Sequence, residues 1–135
     1  MIGLDTNVLV RYVTQDDPEQ SAAATKLLDS LSAESPGFVP LIVAVELVWV
    51  LQNCYDTKRD ALAQVMETLL RSKELVVEQA ELIWQALRRF SASRADFADC
   101  DFADCLVERC AHAADCQYTA TFDKNAVAAG MRLVG

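Results

Sequence analysis

Apolar residues follow two patterns along this chain, short continuous runs and longer stretches with a helical period. The short runs predict buried strands, and the stretches that repeat apolar residues every three or four positions predict amphipathic helices. Strands are predicted at 1–4, 38–41, 75–77, 117–121 and 131–134. Helices are predicted at 8–13, from Pro18 to a break at 35–37, and at 42–55, 58–72, 80–90 and about 101–114.

The order of these elements predicts the fold class. Strands that alternate with helices indicate an α/β protein with a parallel sheet of about five strands, covered by helices on both faces. In such a sheet, sites form beyond the carboxyl ends of the strands, near the point where the strand order reverses. Asp5 follows the first predicted strand and Asp123 follows the fourth, so both are candidates for one site.

Length and composition favour one soluble domain over residues 1–135. The longest apolar stretch, 38–51, is interrupted by Pro40 and Glu46 and is shorter than the roughly 20 residues that a membrane span needs. The first residues lack the basic start and apolar region of a signal peptide. The five cysteines are an odd number without a Cys-x-x-Cys pair, which favours reduced thiols in the cytoplasm. Zinc binding by Cys105, Cys110, His112 and Cys116 is a weak alternative, because their spacing matches no common zinc module.

The net charge of −8 argues against nucleic acid as the substrate, because proteins that hold RNA through phosphate contacts usually carry a basic surface. Acids gathered in one site and neutralised by divalent cations would weaken that objection. A local basic patch would weaken it too, and the side chains free to line one are Arg11, Lys58, Arg59, Arg88, Arg89, Arg94 and Lys124.

Four acids form the candidate site: Asp5, Glu46, Asp104 and Asp123. Glu46 lies in a helix that is apolar nearly all round, where a charge costs several kcal/mol unless it is paired or binds a cation. The structural alternatives are an ion pair or a helix end that reaches water for Glu46, and simple helix capping for Asp5 and Asp123. Carboxylates that converge would suit Mg²⁺ or Mn²⁺, which can activate water and stabilise charge on a phosphoryl group.

Four segments together resemble the signatures of PIN-domain ribonucleases, specifically VapC-type toxins. They are MIGLDTN at 1–7, VELVWVL at 45–51, DFADCL at 101–106 and TATFD at 119–123, and their order matches from residue 1 to about 134. The resemblance implies a three-layer α/β/α sandwich, Mg²⁺- or Mn²⁺-dependent RNA cleavage, a homodimer and inhibition by a VapB-type antitoxin. It also implies that Asp5, Glu46, Asp104 and Asp123 are catalytic, that Asp5, Asp104 and Asp123 bind the metal, and that Thr6 and Asn7 support them.

One segment departs from that family pattern, because Asp-Phe-Ala-Asp-Cys occurs twice in tandem, at 96–100 and 101–105. Asp99 and Asp104 are therefore rivals for the third acid. On one helix, positions five apart point about 140° away from each other, so the two could not face one site. The separation from Asp104 to Asp123 fits the family better. We therefore predict that Asp104 is the site acid, that Asp101 caps its helix, and that 95–100 form an extended loop.

Two other functions remain compatible with the same residues. One is a non-catalytic PIN-fold binding module whose acids hold a structural ion or a partner's arginines. The other is a metal-dependent phosphohydrolase that acts on DNA or a small molecule. For partner binding, the apolar helices at 58–72 and 80–90 are the predicted surfaces for a second subunit or an antitoxin.

Overall fold

A computed structural model describes residues 1–92 and 101–135 of the chain. Its elements, in chain order, are β1 (Ile2–Gly3), α1 (Thr6–Thr14), α2 (Pro18–Asp29), β2 (Gly37–Val39), α3 (Leu41–Cys54), α4 (Arg59–Arg71), β3 (Leu75–Val77), α5 (Ala80–Ala92), α6 (Phe102–Ala113), β4 (Ala120–Thr121), a 3₁₀ helix (Lys124–Ala129) and β5 (Arg132–Leu133). The alternation of strands and helices confirms the predicted α/β class. The chain divides into two compact units, Met1–Ala80 and Glu81–Gly135.

The first unit contains a parallel sheet in the order β1-β2-β3, with β2 in the centre. Helix α1 packs against both α2 and α3. Gly37 begins the central strand at a point of close approach, since a Cβ atom there would lie 2.8 Å from Leu4 Cδ1 and 2.9 Å from Leu31 Cδ1. The absence of a side chain at Gly37 therefore lets Leu4 and Leu31 pack over the sheet.

The second helix begins as its sequence predicts. Asp17 is the N-cap, and its side chain accepts a hydrogen bond of 3.0 Å from the backbone N–H of Gln20. Pro18 occupies the first turn and Glu19 places a negative charge beside the positive end of the helix.

The second unit pairs β4 with β5 in parallel, with the 3₁₀ helix between them in the chain. Phe90 and Phe102 are both buried and meet edge to face, with ring centroids 6.1 Å apart. Glu108 on α6 receives hydrogen bonds of 2.7 Å from both Arg89 and Arg109. Arg89 also donates to the carbonyl of Ala129, so this ion cluster ties α5 and α6 to the end of the 3₁₀ helix.

The structure differs from the sequence prediction in its sheets. All five predicted strands are present among the described residues. They form a three-stranded and a two-stranded sheet rather than one, and the paired strands within each sheet are parallel. Strands β4 and β5 are shorter than predicted, because only Ala120–Thr121 and Arg132–Leu133 pair in the two-stranded sheet. The 3₁₀ helix at Lys124–Ala129 was not predicted. That residues 1–135 form one domain stays a prediction.

The partner surfaces predicted on the helices at 58–72 and 80–90 stay a prediction. Helix α4 buries Leu62, Met66 and Leu69 and α5 buries Ile83, Leu87 and Phe90, whereas other large apolar side chains of the two helices are only partly buried: Val65, Leu70, Leu82 and Trp84. Among the described residues, the highly exposed large apolar side chains lie on other segments, including Ile42 and Trp49 of α3.

No helix within residues 1–92 and 101–135 is both long enough and apolar enough to span a membrane.

Candidate active site

One half of the candidate site residues, Asp5 and Glu46, lies in the unit Met1–Ala80, beginning where β1 ends and α1 begins. Leu4 is buried, and its backbone N–H donates a 2.9 Å hydrogen bond to the carbonyl of Phe38, which continues the sheet to the edge of the site. Asp5 follows as the N-cap of α1, with exposed position and extended backbone. Its Oδ1 accepts a 2.7 Å hydrogen bond from the backbone N–H of Thr6. The end of the strand thus fixes the carboxylate of Asp5 at the positive end of a helix.

Thr6 connects Asp5 to Glu46. The Thr6 side chain is buried, and its hydroxyl donates a hydrogen bond to Oε1 of Glu46, which lies 40 residues away on α3. One threonine therefore positions two of the predicted site acids, one through its backbone and one through its side chain. The supporting roles of Thr6 and Asn7 stay predictions; the Asn7 side chain is exposed.

The expectation that Glu46 is buried in a helix apolar nearly all round is wrong, because Glu46 is exposed. Helix α3 buries Val43, Ala44, Leu47, Val48 and Leu51 on one side, and Glu46 lies on the exposed side. Within the described part of the chain, the contact of Glu46 is with the hydroxyl of Thr6 and no Lys, Arg or His forms an ion pair with it. The buried ion pair considered from the sequence is therefore not formed there.

The other half of the candidate site residues, Asp104 and Asp123, lies in the unit Glu81–Gly135. Asp104 lies in the first turn of α6 and is partly buried. Burial raises the pKa of its carboxyl, and the negative charges of Asp101 and Asp123 raise it further. Like charges that disfavour each other in this way are what a bound cation would neutralise.

Asp101 occupies the predicted capping position but does not cap as predicted. It is the N-cap of α6 with extended backbone, yet its side chain makes no cap hydrogen bond to the first turn. Its charge nevertheless acts on Asp104, three residues further on. The rival acid Asp99 and the loop predicted at 95–100 lie outside the described residues.

Asp123 is held on both sides by short-range hydrogen bonds at the end of β4. Its backbone N–H donates to the hydroxyl of Thr121 at 3.0 Å, and its Oδ1 accepts from the backbone N–H of Asn125 at 2.9 Å. It thereby caps the 3₁₀ helix while remaining exposed. The sequence did not single out Thr121 for a role, although a hydroxyl two residues before a strand-end acid is a recognisable turn signal.

The donor atoms fit Mg²⁺ or Mn²⁺ in their chemistry, because both halves offer carboxylate oxygens. Across the residues that the structure describes, however, no three or more His, Cys, Asp or Glu side chains are grouped closely enough to hold a metal ion. Of the residues weighed for zinc, Cys105 is buried, Cys110 is partly buried, and His112 and Cys116 are exposed.

Five of the seven side chains predicted to be free for RNA have internal partners. Arg11 donates hydrogen bonds to Gln20 at 2.8 Å and to Asp16 and Tyr55 at 3.1 Å. Arg89 belongs to the cluster around Glu108. Arg94 lies outside the described residues. Lys58 forms an ion pair with Asp56 at 3.4 Å, Arg88 lies over the ring of Trp84, and Arg59 also has a partner. Lys124 is exposed and has more weight in any contact with phosphate.

The fold and the candidate residues define a class of protein: an α/β chain with aspartates at the ends of parallel strands. Comparison with known proteins identifies the family. The PIN domain family model matches residues 2–130, so the match includes residues of both units. The chain is also 31% identical over 98 residues to a VapC ribonuclease from Aquifex aeolicus (strain VF5), covering 72% of each protein. This chain belongs to the PIN domain family.

Proposed function

We propose that this chain is a Mg²⁺- or Mn²⁺-dependent endoribonuclease that acts as the toxin of a type II toxin–antitoxin system. The observation that carries the proposal is the carboxylate pair of Asp5 and Glu46, joined through Thr6, in a chain of the PIN domain family. The similarity to a protein named VapC ribonuclease supports RNA as the substrate.

We assign metal binding to Asp5, Asp104 and Asp123, and a separate catalytic role to Glu46. A bound divalent ion would activate water and stabilise the charge that develops on the phosphoryl group. Oε1 of Glu46 accepts the Thr6 hydroxyl, so Oε2 is the atom that we assign to take the proton from the attacking water. The water oxygen then bonds to phosphorus while the bond to the leaving sugar oxygen breaks.

The partner proposal follows from the exposed face of α3. Ile42 and Trp49 are 76% and 59% exposed, and Glu46 lies between them at helical spacing on the same face. A protein that packed on these two apolar side chains would also cover the proposed proton acceptor. We propose that a VapB-type antitoxin binds the chain and that the toxin is a homodimer.

The decisive experiment is RNA cleavage by purified chain freed of any antitoxin. Total cellular RNA is incubated with protein plus Mg²⁺ or Mn²⁺, with EDTA, and with the variants Asp5→Asn and Glu46→Gln. Asp29→Asn is the matched control, because Asp29 is an exposed acid at the end of α2. We expect cleavage only with metal, and loss of cleavage in both site variants but not in the control. Cleavage that survives EDTA or Asp5→Asn would refute the metal mechanism.

The third acid needs its own pair of variants. We expect Asp104→Asn to abolish cleavage and Asp99→Asn to leave it near the wild-type rate. The opposite result would assign the site to the first copy of the tandem segment. Cleavage retained in both variants would mean that neither aspartate is a site acid. No cleavage by the wild type would favour the binding-module alternative, and cleavage of DNA but not RNA would favour the phosphohydrolase.

The toxin assignment is tested by expression in cells. We expect the wild-type chain to arrest growth and the Asp5→Asn variant to be tolerated. Co-expression of a short reading frame from the neighbouring genome sequence that encodes a DNA-binding antitoxin should restore growth. Sedimentation of the purified chain then tests the homodimer. A harmless monomer that binds no such partner would contradict this part of the proposal.

A further inference from the structure

Phe122 is an apolar side chain in an unusual place. It is 85% exposed, the highest value among the exposed large apolar residues of the described chain, and it directly precedes Asp123. Tyr or Trp at such a position could be explained by a polar group that reaches water, but Phe has none. An exposed ring beside a site acid therefore suggests a ligand with an aromatic face.

The backbone on both sides of Phe122 is fixed. Val134 donates a 2.9 Å hydrogen bond to the carbonyl of Thr121, and the hydroxyl of Thr121 accepts one of 3.0 Å from Asp123. Asp123 in turn holds Asn125 at 2.9 Å. Because the backbone is already fixed, binding would cost Phe122 little conformational entropy beyond that of its own side chain. The ring is therefore suited to stacking.

We propose that Phe122 stacks on an unpaired base of the RNA strand that passes Asp123. This inference rests on the proposed ribonuclease function and assigns the ring of Phe122 to positioning that base. In a duplex the faces of the bases are covered by their neighbours, whereas an unpaired base can be stacked by an aromatic side chain. Lys124 follows Asp123 in the chain and is exposed, so it supplies a positive charge for the same RNA strand.

The test measures binding without cleavage, so that it does not depend on activity. A set of single-stranded RNA oligonucleotides, each with 2-aminopurine at a different position, is titrated with protein in EDTA. Stacking on an aromatic ring changes the fluorescence of 2-aminopurine. Phe122→Leu removes the aromatic ring, Phe122→Trp keeps one, and Val76→Ala is the control because Val76 is an exposed apolar residue of β3.

We expect wild type, Phe122→Trp and the control to change the fluorescence at one position and Phe122→Leu to lose that change. Affinity for the single strand should fall about 5- to 150-fold in Phe122→Leu, the range for loss of one stacked base. A fully paired duplex should give no change with any variant. In cleavage assays with metal, the loss in Phe122→Leu should appear in KM and be rescued in Phe122→Trp.

The outcomes separate this inference from the proposed function. If the wild type cuts RNA but Phe122→Leu keeps its KM and its fluorescence change, the stacking role is refuted and the function stands. If the wild type gives the fluorescence change but cuts no RNA with Mg²⁺ or Mn²⁺, the RNA site stands and the nuclease function fails. No fluorescence change in the wild type, or a change of oligomeric state alone in Phe122→Leu, would overturn the inference in favour of a protein contact.

Discussion

The bond between Thr6 and Glu46 gives the most informative single perturbation of this protein. Thr6→Val keeps the shape of a buried side chain and removes the hydroxyl that donates to Glu46. Because Glu46 is exposed, water can replace the lost donor. We therefore expect a stability loss of about 1 kcal/mol, the usual net value of a hydrogen bond. A carboxylate left unpaired in the core would instead cost about 3–5 kcal/mol.

The assay combines urea denaturation with RNA cleavage. Glu46→Ala and the double variant Thr6→Val/Glu46→Ala complete a double-mutant cycle. Its coupling free energy should be about 1 kcal/mol if the hydrogen bond between Thr6 and Glu46 is formed in solution. Thr6→Ser is the matched control, since it keeps the hydroxyl and loses only a methyl group. We expect Thr6→Val to cleave RNA more slowly than Thr6→Ser even where both are fully folded.

Two results would refute this reasoning. A coupling near zero would mean that Thr6 does not hold Glu46. A loss of more than about 3 kcal/mol of folding stability in Glu46→Gln would mean that Glu46 balances a buried charge. That result would contradict the exposed position of Glu46.

Three further perturbations test the electrostatics and backbone of the fold by denaturation. Arg109 lowers the pKa of Glu108 by hydrogen bonding, so Glu108 stabilises the fold above its ordinary value of 4.5; as the pH falls below that value, wild-type stability should decline more than that of Glu108→Gln. The hydrogen bond from Tyr55 lowers the pKa of Asp16 from 3.8 to about 2, so wild type should lose more stability than Asp16→Asn as the pH falls across that interval. Gly130→Ala should cost about 1 kcal/mol or more, because φ is +102° there.

The helices could be predicted from the sequence because their apolar period is local. Helix α4 was predicted at 58–72 and spans Arg59–Arg71, and β3 was predicted at the residues where it occurs. The strand predicted at 117–121 is limited to Ala120–Thr121, because strand length depends on the partner. Its partner β5 has only two residues, a fact that no local pattern contains.

The exposure of Glu46 could not be predicted for a related reason. Helix α3 is apolar on nearly all sides, so its sequence does not indicate which face is buried. The structure leaves Ile42 and Trp49 exposed beside Glu46, and only tertiary packing decides this. Glu46 was therefore singled out as a candidate by its residue type and spacing, whereas its burial was predicted wrongly.

Helix capping and metal binding, which the sequence presented as alternatives for Asp5 and Asp123, are compatible in this structure. Each aspartate uses Oδ1 for its cap, with Asp5 accepting from Thr6 and Asp123 accepting from Asn125. Among the described residues, neither cap uses Oδ2. One oxygen thus fixes the carboxylate at the end of a parallel strand, and the second oxygen is the atom that we assign to the cation. Asp5→Asn can keep the cap through its side-chain carbonyl, so the folded variant should lose metal-dependent cleavage while retaining most of its stability.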